Sequence, residues 1–146
     1  MQQSDRTCAA LVARGAHYQA AVAPLDAFEA WFSTSLQDSQ PEDIAFNFYA
    51  DDGWKLGIGR DGTGDQPSYV DGAMSNAPAK QLSPIQRYTV VGAYNQRRAP
   101  TETKVTVDFP GAGTYPVELD YTEWCGLPAV FVLTAVGVGL ITGLQL

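Results

Sequence analysis

Ile44-Ala45-Phe46-Asn47-Phe48-Tyr49-Ala50-Asp51-Asp52-Gly53-Trp54-Lys55-Leu56-Gly57-Ile58-Gly59 is the stretch that decides the fold class of this 146-residue chain. Ile44, Phe46 and Phe48 alternate with Ala45, Asn47 and Tyr49, the period of a strand with two different faces. After Asp51-Asp52-Gly53 the alternation resumes in Trp54, Leu56 and Ile58. Asp-Gly between two such runs signals a β-hairpin, because both residues tolerate the positive φ of a tight turn.

Further strands read outward from there. Arg87 to Tyr94 is a candidate strand, and Lys104 to Phe109 carries Val105, Val107 and Phe109 on one face. Pro110-Gly111-Ala112-Gly113 makes a turn into Tyr115 to Thr122, with Val117, Leu119 and Tyr121 inward. Val130 to Thr134 closes the set as a buried strand. Upstream, Thr7 to Ala23 reads as a helix interrupted by Gly15, or as a helix turn followed by a strand from His17 to Val22. Phe28, Trp31 and Phe32 fall at i, i+3 and i+4, the spacing of one apolar face of a short helix. Arg60 to Gln86 lacks periodicity and reads as long surface loops. The expected fold is all-β: one antiparallel β-sandwich domain over residues 1–146, with one or two short helices in its N-terminal third and long loops.

Composition agrees. Apolar residues make up 45% of the chain and charged residues 17%, the balance of a folded domain rather than a disordered one. Fourteen glycines and nine prolines spread through the chain suit many short elements and turns. A net charge of −7 repels a polyanion, so no nucleic-acid role is expected. Arg97-Arg98 is the one local basic cluster and reads as a solvated turn. Met1 to Arg6 is polar and no continuous apolar run follows it, so no export signal is expected. Ala129 to Leu146 is charge-free but shorter than the roughly 20 residues of a spanning helix. Cys8 and Cys125 either pair as a disulfide across nearly the whole chain or remain two separate buried thiols.

Motifs for catalysis fail on context. Gly57-Ile58-Gly59-Arg60-Asp61-Gly62 matches the dinucleotide fingerprint, but Thr63-Gly64-Asp65-Gln66-Pro67 opens no helix to hold a pyrophosphate. Asp61, Thr63 and Asp65 resemble the start of a calcium loop, but Gln66 stands where that loop needs glycine, leaving a solvated acidic loop. His17 is the only histidine, which excludes multi-histidine zinc sites. Glu118 and Asp120 share a strand face and read as its wet side. No nucleophile–base pair or phosphate loop remains, so the chain is expected not to be an enzyme. Asp51-Asp52 reads as a simple turn, or as a pair of carboxylates whose repulsion a hard divalent cation relieves.

Phe46 to Gly59, with its aromatic strand, Asp-Asp-Gly and aliphatic second strand, resembles the core signature of the anthrax protective antigen domain family. Val105-Thr106-Val107-Asp108-Phe109, Gly113-Thr114-Tyr115-Pro116-Val117-Glu118-Leu119-Asp120-Tyr121 and Phe131-Val132-Leu133 resemble that family's later strands, in the same order. The match covers roughly residues 44–134; residues 1–43 do not share the pattern. The resemblance implies a β-sandwich that binds carbohydrate through calcium, with Asp51 and Asp52 as metal ligands and Asn95 as the third.

Two functions follow as expectations. One is a calcium-dependent, lectin-like adhesion module that binds a glycan or cell-surface carbohydrate, with Tyr94 or Trp124 stacking on the sugar ring. The alternative is a virion structural protein, a phage decoration, tail or host-attachment component. It would act through a homo-oligomer or virion partner docked on residues 129–146, with 135–146 as an apolar assembly tail. The reading of that tail as one more core strand, with glycines at bends, stands beside it. Either function places the protein outside the cell or on a virion surface.

Overall fold

The computed structural model describes residues 28–75, 81–96, 99–123, 131–136 and 140–145. Among the described residues there are ten strands and no helix. In chain order they are β1 (Phe28–Asp38), β2 (Glu42–Ala50), β3 (Gly53–Ile58), β4 (Ser68–Gly72) and β5 (Met74–Ser75). There follow β6 (Thr89–Tyr94), β7 (Thr101–Phe109), β8 (Gly113–Glu123), β9 (Phe131–Val136) and β10 (Leu140–Gln145). A six-stranded sheet has the order β10-β1-β8-β3-β6-β5 and a four-stranded sheet the order β4-β7-β2-β9. All pairings are antiparallel except β5 with β6.

The two sheets share one apolar core, the character of a β-sandwich. Ile44, Phe46 and Phe48 of β2 and Val105, Val107 and Phe109 of β7 enter it from the smaller sheet. Trp54, Leu56 and Ile58 of β3 and Tyr115, Val117, Leu119 and Tyr121 of β8 enter it from the larger. Phe48 stacks on Trp54 with ring centroids 3.6 Å apart, and Phe109 meets Tyr115 edge-on at 5.0 Å. The Trp54 indole N–H donates to Thr103 Oγ1 at 3.0 Å, so its one polar atom is satisfied inside.

Three expectations are corrected. The hairpin at Asp51-Asp52-Gly53 is instead an arch between sheets: β2 pairs with β7 and β9, whereas β3 pairs with β6 and β8. The turn chemistry is the same in both arrangements. The arch wins because it puts Phe48 and Trp54 face to face across the core. The aromatic trio Phe28, Trp31 and Phe32 lies in a strand, not a helix; every residue of β1 pairs with β8. Five residues of helical spacing cannot outweigh that ladder, and Trp31 and Phe32 take opposite faces. Within the expected loop from Arg60 to Gln86 lie β4 and β5.

The helix, or helix turn and strand, expected over Thr7 to Ala23 lies outside the described residues, as do Cys8 and Cys125. Beyond Thr134 the chain completes β9 and then runs as β10 along the edge of β1. No helix among the described residues is long and apolar enough to cross a membrane.

Candidate functional site

One end of the sandwich gathers the residues that matter. Ala50 pairs with both Thr101 and Phe131, Trp54 with Tyr94, and Gly53 with Thr122. The Asp51-Asp52 arch, the end of β6 at Tyr94, the start of β7 at Thr101 and the end of β8 therefore meet at the same pole.

Asp51, Asp52 and Glu123 bring carboxylate oxygens within 4.8 Å of one another there. They are 9%, 2% and 1% exposed, unlike acids at a solvated hairpin tip. Asp52 takes the positive φ of the turn, at 66°. Gly53 is needed for space instead: a Cβ there would stand 3.1 Å from Asn95 Oδ1 and 3.2 Å from the Tyr94 carbonyl oxygen. That same contact places the Asn95 amide oxygen against the arch.

The Tyr121 hydroxyl donates to Glu123 Oε2 at 2.9 Å, while Glu123 Oε1 is buried with no hydrogen-bond partner. Burial raises the proton affinity of Glu123, and the charges of Asp52 and Asp51 add to it, so its pKa is pushed up to about 7. Burial and the neighbouring Asp52 also raise Asp51. Like charges confined in a dry site keep a proton, or take a cation. An all-oxygen donor set with one orphaned buried oxygen fits a hard divalent ion such as calcium.

Of the residues expected from sequence, Asp51, Asp52 and Asn95 meet at this pole. Tyr94 is half-buried and packs against the core. Trp124 lies outside the described residues. Glu123 was missed as a member of the group, although the signal was present: it continues the inward alternation of Val117, Leu119 and Tyr121, where a carboxylate is out of place.

The wet-side reading of Glu118 is overturned. It is 0% exposed and accepts from Ser83 Oγ at 2.8 Å, the Ile85 amide at 3.0 Å and the Gln86 amide at 2.6 Å. Burial alone would raise its pKa, but these donors outweigh burial and hold it below the usual range. The side chain pins the 83–86 turn to the sheet. Asp120 beside it is raised to about 8, by burial first and then by its hydrogen bond with Glu118 and that group's charge. Asp61 is not solvated either. Its carboxylate accepts from Thr63 N, Thr63 Oγ1 and Asp65 N, a turn closed on itself. No helix follows Gly62, so the fingerprint at Gly57–Gly62 has no phosphate-binding context.

No family model matches the chain, and neither a curated protein nor a solved structure matches it. The protective-antigen resemblance thus rests on its motif residues and their order.

Proposed function

We propose that this protein is a non-enzymatic carbohydrate-binding module of the adhesion type, with calcium held at the arch. Asp51, Asp52 and Glu123 supply the charged oxygens and Asn95 a neutral one. The observation that carries this reading is the burial of three carboxylates within 4.8 Å, one of them with an oxygen that has no donor. A bound calcium ion would offset two of the three negative charges and leave coordination positions for vicinal sugar hydroxyls.

A role in assembly, as a component of a virion surface, is favoured by a different observation. β4 is an edge strand exposed along its whole length, and it presents Tyr69 and Val70. An unprotected edge is a template for pairing with another chain. Sedimentation of the purified protein separates the two readings, since only the second requires an oligomer.

The calcium reading is tested by thermal melting in millimolar calcium and in chelator, for the parent and an Asp51→Asn/Asp52→Asn variant. A ligand at 100 times its dissociation constant adds about 2.7 kcal/mol to the native state, several degrees for a domain of this size. A shift in the parent that the variant lacks supports the site and directs a glycan array screen in calcium. The same melting temperature with and without calcium would reduce the arch to a turn.

A further inference from the structure

A second site lies on the outer face of the six-stranded sheet. Trp31 of β1, Asp120 of β8 and Lys55 of β3 stand side by side in one register row. With Glu29, Pro84 and Ile85 they line a groove of about 180 Å³. Its rims are apolar and open to water: Trp31 is 49% exposed and Ile85 46%. The Ile85 rim is fixed in place, because Glu118 holds the amides of Ile85 and Gln86.

The chemistry of the lining narrows the occupant. An exposed indole offers a flat apolar face, which suits the C–H face of a ring. Lys55 donates, Glu29 accepts, and their charges cancel. Burial first, and then the hydrogen bond and charge of Glu118, raise Asp120 to about 8, so the floor carries little negative charge at neutral pH. An ionic ligand gains nothing from such a balance, whereas alternating hydroxyl donors and acceptors match it. The volume is well below the roughly 300 Å³ at which pockets begin to hold drug-sized ligands, so a single ring fits and a chain does not.

We infer that this groove is a calcium-independent binding site for one neutral pyranose ring, stacked on Trp31 and hydrogen-bonded to Lys55 and Glu29. None of Asp51, Asp52, Asn95 and Glu123 lines the groove, so either reading can fail alone.

The test is an NMR titration of the tryptophan indole N–H signals with glucose, galactose, mannose and N-acetylglucosamine, all in chelator. At least one sugar is expected to move the Trp31 signal saturably and to leave that of the buried Trp54 unchanged. Trp31→Ala is expected to weaken the binding about tenfold, judged from the worth of a lost stacking contact. Lys55→Met is expected to weaken it as well, with the melting temperature held; this variant keeps the test decisive if Trp31→Ala unfolds. The inference is overturned if no sugar moves the Trp31 signal in chelator. It is equally overturned if Lys55→Met binds as the parent does, or if binding appears only with calcium.

Discussion

Glu123→Gln is expected to stabilise the protein in chelator and to lower its response to calcium. In chelator the parent pays for ionising a carboxyl that burial and the charges of Asp52 and Asp51 hold at about 7. Because the folded-state value lies above the ordinary 4.5, the native state binds the proton more tightly than the unfolded chain does. Its stabilising contribution is therefore complete below 4.5 and is lost as pH rises through about 7. Glutamine stays neutral throughout, and its amide oxygen still accepts from the Tyr121 hydroxyl.

The displacement of Glu123 from 4.5 to about 7 corresponds to an upper bound of about 3 kcal/mol, at about 1.4 kcal/mol per tenfold in proton affinity. Relaxation of the site and the effective dielectric of even buried positions leave about 1–2 kcal/mol, or roughly 3–6 °C for a chain of this length. Melting curves of both proteins at about pH 8.5 and about pH 5, with chelator and with calcium, read this directly. At the alkaline pH in chelator the variant should melt higher; at the acid pH the two should coincide. With calcium the order should narrow or invert if the proposed reading holds, because the variant would then have lost a charged ligand. A variant less stable than the parent in alkaline chelator would refute the reasoning, since it would show that the three carboxylates do not repel one another in the metal-free protein.

Two further outcomes follow from the fold. Glu118→Ala removes the acceptor of Ser83 Oγ, Ile85 N and Gln86 N, and should cost about 3 kcal/mol in urea unfolding. Hydrogen exchange at the Ile85 and Gln86 amides should accelerate in the same variant. Gly72→Ala should cost about 2 kcal/mol or more in a melting experiment, because Gly72 has φ of 101° and an added Cβ would collide with the Lys104 carbonyl oxygen.

The alternation of β2, β3, β7 and β8 was legible because each strand has one face in the core, and period two is then written in the residues themselves. What could not be read was partnership. Asp51-Asp52-Gly53 has the same local chemistry in a hairpin as in an arch. The choice is made by β7 and β9, whose residues lie some fifty or more positions away and which occupy both sides of β2. Trp31 and Phe32 misled for a related reason. Helical spacing over five residues is no evidence against a ladder whose partner, β8, is remote in sequence. Glu118 faces outward as its position in β8 demands, and only the distant Ser83–Gln86 turn makes that face dry. Asn95 and Glu123 differ instructively. Asn95 was placed by resemblance alone, whereas Glu123 was marked by an inward position that should have been apolar.

The arch and the acids explain one another. A chain that needed only a turn would leave Asp51 and Asp52 in water, where their repulsion is small. Crossing between sheets turns them inward instead, next to a third carboxylate at the inward end of β8. Each buried charge is expensive without a counter-charge. A proton on Glu123 is one remedy, with Tyr121 and the neighbouring aspartates arranged around it, and it is half lost at about pH 7. In the proposed reading the cation is the other remedy, and it becomes the better one over the range where the proton leaves. The same burial that destabilises the metal-free arch at neutral pH is thus what would make it selective for a small, hard, doubly charged ion.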